Sequence, residues 1–170
     1  MFGKHKDSPS TRFQMRQKLL SIGDDSWIED DQGHKVFKVN GKAMRVRDTF
    51  VLEDASGNEV AKIQERKLHV RDTMAIERGG KKIATVHKRL MGFRDHLKVE
   101  IEDGADMKVH GNLVDHEYEI EGADGKVAEI SKKWFRVRDT YGVEIAADQD
   151  VPLILAITVA VEDMTDGVVD

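Results

Sequence analysis

Lys133-Trp134-Phe135-Arg136-Val137-Arg138-Asp139-Thr140 is the fullest form of a pattern that the chain carries six times. Aligned on the aspartate, the copies fall at Asp24, Asp48, Asp72, Asp95, Asp115 and Asp139, at intervals of 24, 24, 23, 20 and 24 residues. Two residues earlier the chain is apolar every time: Ile22, Val46, Val70, Phe93, Leu113 and Val137. Four residues earlier stand Leu20, Met44, Leu68, Met91 and Phe135, with Gly111 in the remaining copy. Six residues earlier the residue is basic (Lys18, Lys42, Arg66, Arg89, Lys133), with Val109 as the exception. Apolar residues spaced by two and ending at a polar turn are a strand signal rather than a helix signal. A fixed period over nearly the whole chain makes the repeat the unit to interpret.

Between successive aspartate turns lies a second kind of turn, marked by glycine: Asp31-Gln32-Gly33, Asp54-Ala55-Ser56-Gly57, Gly79-Gly80, Asp103-Gly104 and Ala123-Asp124-Gly125. Asp and Gly tolerate the left-handed backbone of tight hairpins. Each repeat therefore reads as strand, aspartate turn, strand, glycine turn, and six repeats give twelve strands. The expected strands are 13–20, 27–30, 35–39, 49–53, 59–65, 74–78, 82–88, 97–101, 107–110, 117–121, 127–133 and 141–146. Pro9 and Pro152 are the only prolines, so the repeat region is free of the residue that paired strands tolerate least.

After the strands the pattern changes. Residues 151–161 (Val-Pro-Leu-Ile-Leu-Ala-Ile-Thr-Val-Ala-Val) are apolar except for Thr158. Pro152 suits a first helical turn, with Asp148 or Asp150 as N-cap. A helix apolar all round must be buried all round. Eleven residues span about 17 Å, short of the roughly 30 Å hydrocarbon core of a bilayer. A closed barrel of twelve strands leaves a lumen too wide for side chains alone, and this helix fits it. The expected architecture is mainly β: a twelve-stranded closed antiparallel barrel, residues 13–163, around a buried C-terminal helix, with tails at 1–12 and 164–170.

Several separated blocks resemble the LURP-one-related family. These are Met15-Arg16-Gln17-Lys18, Gly111-Asn112 with Asp115-His116-Glu117-Tyr118-Glu119, Lys132-Lys133-Trp134-Phe135 with Arg138-Asp139-Thr140-Tyr141-Gly142-Val143, and the apolar ending 151–161. The resemblance implies the tubby-like fold, shared with tubby proteins and phospholipid scramblases, and it implies no enzyme. Tubby domains bind phosphoinositide head groups, but their ligand residues do not map onto positions here.

Composition narrows the function further. The chain has no cysteine, which excludes disulfides and thiolate chemistry and suits a reducing compartment. The 1–12 segment lacks the apolar stretch of a signal peptide, and a cytoplasmic, membrane-peripheral location is expected. Net charge is −5, yet 35% of residues are charged, so their arrangement matters more than the sum. In an up-and-down barrel alternate turns lie at opposite ends. The aspartate-turn end then gathers Arg45, Arg47, Arg71, Arg94, Lys132, Lys133, Arg136 and Arg138. The glycine-turn end gathers Asp30, Asp31, Glu53, Asp54, Asp103, Asp106, Glu121 and Asp124. Clustered arginine and lysine attract phosphate or lipid head groups. Against this stands a purely structural account, in which each turn aspartate pairs with its neighbouring arginine or caps backbone amides.

Seven histidines make no metal signature; Asp95-His96 and Asp115-His116 occupy equivalent repeat positions and read as turn chemistry. No Gly-x-Ser-x-Gly elbow, P-loop or dinucleotide fingerprint is present, so no enzyme, cofactor or metal is expected. Trp134 and Phe135 could stack on bases, but at 6% aromatic content a net acidic chain is a poor candidate for nucleic acid, and Phe135 is expected in the core. Three readings stay open: a binding module for an anionic ligand, a structural or protein-interaction module, and a scramblase-like membrane role for 151–161.

Overall fold

The computed structural model describes residues 10–16, 25–43, 48–66, 73–89 and 96–169. Twelve strands precede one helix. They are β1 Ser10–Arg16, β2 Asp25–Asp30, β3 Lys35–Ala43, β4 Asp48–Asp54, β5 Glu59–Arg66, β6 Thr73–Arg78, β7 Lys81–Arg89, β8 His96–Ile101, β9 Met107–Asn112, β10 Glu117–Gly122, β11 Gly125–Ser131 and β12 Thr140–Ala146, followed by α1 Val151–Val169. Each strand pairs antiparallel with its sequence neighbours, and β1 pairs with β12, from Ser10 opposite Ala146 to Arg16 opposite Thr140. The sheet is therefore a closed meander in which no strand is left as an edge.

The two-residue period of the sequence sets the two faces. In β5, Ala61 and Ile63 are buried while Val60, Lys62 and Gln64 are less so; in β10, Tyr118 and Ile120 are buried between more exposed glutamates. Every strand turns at least one such residue inward, among them Ile28, Val39, Leu52, Val86, Val99, Val109, Ile130 and Val143. These side chains form one core with the helix. Leu153 through Glu162 are all buried, so this stretch of α1 is enclosed on every side. Each Ile or Leu so enclosed contributes about 1.5–3 kcal/mol by leaving water. The one hydroxyl in the run, Thr158, donates to the Ile154 carbonyl at 2.9 Å and enters the core satisfied.

The helix begins where the sequence places it. Asp150 is the N-cap: its carboxylate accepts from the Leu153 amide at 3.2 Å, and its carbonyl accepts from the Ile154 amide at 3.0 Å. Arg78, at the end of β6, donates twice to the same carboxylate, at 2.8 and 2.9 Å, and so ties the helix start to the barrel. Partial burial acts to raise the Asp150 pKa, but the Arg78 hydrogen bond, the Leu153 amide and the Arg78 charge together hold it below its ordinary 3.8.

Three sequence expectations change. The helix runs eight residues beyond 161, so 164–169 is not a tail. β1 starts at Ser10, inside the expected N-terminal tail; the proposed continuation at 17–20 lies outside the described residues. β11 ends at Ser131, and residues 132–139, expected to carry strand into the last aspartate turn, form an irregular loop. Among the described residues no helix is long and apolar enough to cross a membrane.

Val159→Asp is expected to unfold the protein, because an unpaired charge in this core costs about 3–5 kcal/mol or more, against a total stability of about 5–15 kcal/mol. Loss of β-type circular dichroism would show it; wild-type stability in the variant would contradict the helix's central place. Asp150→Asn keeps a capping side chain but loses the carboxylate. Because the folded Asp150 pKa lies below the unfolded value, its contribution is complete above 3.8 and disappears as pH falls through the folded value. Urea titrations from about pH 7 to about pH 2.5 are expected to show the gap between wild type and variant closing at the acid end.

Candidate functional site

Of the six aspartate turns, those at Asp115 and Asp139 lie wholly within the described residues. Both are on the end of the barrel opposite the helix N-terminus, since turns alternate between ends and the chain enters α1 from the glycine-turn end. The first turn, after β9, is held by a reciprocal pair. Asn112 donates to the Asp115 carboxylate at 2.9 Å, and the Asp115 amide donates to the Asn112 side-chain oxygen at 3.1 Å. His116 closes it with φ of 56°. In the second turn Asp139 adopts φ of 60°, and Thr140 donates to the Val137 carbonyl at 2.7 Å. Left-handed conformations at non-glycine residues are uncommon, and both lie at this end.

The loop of residues 132–139 folds back on the outer wall. Gly142 of β12 faces outward there, and a Cβ on it would stand 2.7 Å from Trp134 and 2.9 Å from Phe135, so glycine is needed for the aromatic pair to lie flat. Arg12 of β1 lies 4.8 Å from the Trp134 ring centre and donates to Glu144 at 2.7 Å; the Lys133 ammonium is 5.5 Å from the same ring. Phe135 is thus half-buried outside the barrel and is not a core residue. Trp134 is already engaged by two cations, which leaves it a poor platform for bases.

The predicted basic residues divide into two sets. Arg45, Arg47, Arg71 and Arg94 lie outside the described residues. Lys132, Lys133, Arg136 and Arg138 come together on this one loop, and all four are exposed. Lys133 reaches Glu129 at 3.5 Å. Among the described residues Lys132, Arg136 and Arg138 have no ion pair, and Asp139 does not neutralise its neighbouring arginines. Between the two arginines Val137 is 53% exposed. At the other end of the barrel much of the acidic set is used internally. Asp30 caps the amides of Gln32 and His34, Asp54 caps those of Ser56 and Asn58, Glu53 pairs with Lys38, and Asp106 with Lys98. Those backbone hydrogen bonds, from His34 and Asn58 foremost, hold the Asp30 and Asp54 carboxyls below their usual range.

Beneath the basic end lies a cluster the sequence reading missed. Glu162, on the last buried turn of α1, is only 6% exposed. Tyr118 donates to it at 3.2 Å, and His116 Nδ1 lies 3.1 Å from it. The His116 ring stacks on Tyr141 at 4.7 Å. Burial, with the Glu162 charge next, pushes both tyrosine hydroxyls well above their usual pKa. The Tyr141 hydroxyl is buried and finds no hydrogen-bond partner among the described residues. The available signal was the parity of Tyr118 and Tyr141, both at inward strand positions, and an acid placed directly after the apolar run. Asp115-His116 is turn chemistry as expected, but its histidine also anchors the helix. Among the described residues no group of side chains could hold a metal ion.

A closed twelve-stranded antiparallel meander filled by an apolar C-terminal helix defines the tubby-like barrel class. The chain belongs to the LURP-one-related family, whose family model matches residues 11–162. It is 26% identical over 148 residues to the uncharacterized protein YxjI of Bacillus subtilis (strain 168), a match covering 87% of this chain and 90% of that protein. The X-ray structure of the Arabidopsis thaliana protein AT5G01750 superposes with a TM-score of 0.70 at 22% identity, covering 93% of each chain, and bears on the fold alone.

Two tyrosine substitutions are expected to differ in sign. Tyr118→Phe removes a buried hydrogen bond to a carboxylate and should cost about 1.5–3 kcal/mol in urea unfolding. Tyr141→Phe removes a hydroxyl that has no hydrogen-bond partner among the described residues and should leave stability unchanged or raised. Equal losses in both would contradict the described roles.

Proposed function

We propose that this chain is a binding module rather than an enzyme, and that its basic end recognises an anionic ligand such as a phospholipid or phosphoinositide head group. The observation that carries the reading is the Arg136-Val137-Arg138 segment. Its two arginines are exposed without ion pairs among the described residues, and an apolar side chain stands exposed between them. That combination suits the surface of an anionic membrane, where guanidinium groups meet phosphates and a small apolar residue enters the interfacial layer. A helix enclosed by the barrel is not available for insertion, so the membrane contact would be peripheral and on the cytoplasmic side. The unpaired arginines also weigh against the account in which the turn aspartates neutralise the rim.

Liposome co-sedimentation tests this. Binding is expected to phosphatidylserine or phosphoinositide vesicles and not to neutral ones, weakening at physiological salt. Each cation near an anionic surface contributes about 1 kcal/mol, so Arg136→Glu with Arg138→Glu should weaken binding at least roughly thirtyfold. No sedimentation with any vesicle, or an undiminished double variant, would sink the lipid reading and leave the loop to a protein partner.

A further inference from the structure

Strand register places basic residues side by side on the outer wall of β7, β8 and β9. His87 stands opposite Lys98, and Lys98 opposite Lys108. Two residues nearer the aspartate turns, His96 stands opposite His110. The barrel core does not require this, because Val86, Leu97, Val99 and Val109 supply the buried faces of these strands. Directly opposed residues have Cβ atoms about 4.5–5.5 Å apart, where like charges repel.

Neighbouring acids offset only part of this charge. Glu100 meets His87 at 2.6 Å, Asp106 lies 3.7 Å from Lys98, and Glu121 contacts His110. Glu121 is also opposite Lys108 in register, and Glu119 is opposite His110. With Glu121 turned to His110, Lys108 has no ion pair among the described residues. The Lys98–Asp106 pair is about half exposed, and pairs of that kind are weak enough to exchange for another anion.

His96, Lys98, Asp106, Met107, Lys108 and Glu121 line an open cleft of about 560 Å³, a size common among small-molecule sites. A concave surface and an opposed lysine pair thus coincide. We infer that this cleft binds a phosphate-bearing anion, held between Lys98 and Lys108. The site is on the barrel wall, separate from the loop of residues 132–139, and does not depend on the role proposed for that loop.

Isothermal titration calorimetry of the intact chain with sodium pyrophosphate, at low salt, is the first test. One saturable site is expected. Lys98→Met with Lys108→Met should weaken it about tenfold or more, as loss of charge-assisted contacts does. Arg136→Glu with Arg138→Glu should leave it unchanged, which separates this site from the basic loop. Circular dichroism of the lysine variant is expected to match wild type, both side chains being outside the core. Competition then distinguishes a free phosphate compound from a lipid. Displacement of pyrophosphate by soluble inositol 1,4,5-trisphosphate alone assigns the former, and displacement also by phosphatidylinositol 4,5-bisphosphate vesicles assigns the latter. No saturable binding, undiminished affinity in the lysine variant, or displacement by neither competitor would overturn the assignment.

Discussion

Closing twelve strands into a ring creates an interior that twelve sets of inward side chains cannot fill, and the rest of the structure depends on how that volume is occupied. The helix from Val151 to Val169 occupies it, with an unbroken buried run from Leu153 to Glu162. A purely apolar plug could slide or turn, because hydrophobic contacts are non-directional. Polar contacts at each end remove that freedom. At the start, Arg78 grips the Asp150 cap. At the far end, Glu162 is met by Tyr118 and His116. Translation of the helix by one turn would separate both sets at once.

How much of this was legible from the chain depends on the kind of signal. The architecture was legible because it is written in periodicity: alternation within strands, a repeat near 24 residues, and a terminal run apolar on all sides. The break at residues 132–139 was not. Its apolar positions match the other copies, and only the strand glycine at Gly142 hints that Trp134 and Phe135 lie on the outer wall. Gly111 is the converse case. It breaks the apolar pattern because a Cβ there would stand 2.7 Å from the Tyr118 Cα, at a φ of 131°. The contacts of the Glu162 cluster join residues 25, 44 and 46 positions apart, with no common spacing, so local pattern could not assemble it. Of the basic rim, Lys132, Lys133, Arg136 and Arg138 are close in sequence and so share one loop, but that Lys132, Arg136 and Arg138 have no ion pair among the described residues depends on the folded geometry.

The inner and outer faces answer to different physics. Inward positions are fixed by volume and dryness, whereas outward positions need only tolerate water. Much of the outer wall is covered with exposed ion pairs such as Arg12–Glu144, Lys82–Glu102 and Lys126–Glu129, each of small value in solvent. Such a surface can change its charges with little effect on the fold. This freedom explains why a shared barrel carries no shared chemistry with it, and why function has to be argued from particular patches.

The pairing of β1 with β12 sets an order of events during biosynthesis. Residues 10–16 leave the ribosome before the other strands, yet their second partner strand, 140–146, is the last strand to emerge, and the interior plug follows it. For most of its synthesis the nascent chain must therefore present an open sheet with one greasy face and a free edge. Contacts of such long sequence separation form slowly. The finished barrel hides its edges, but its precursor cannot, and the interval before the helix arrives is when chaperones have the most to protect.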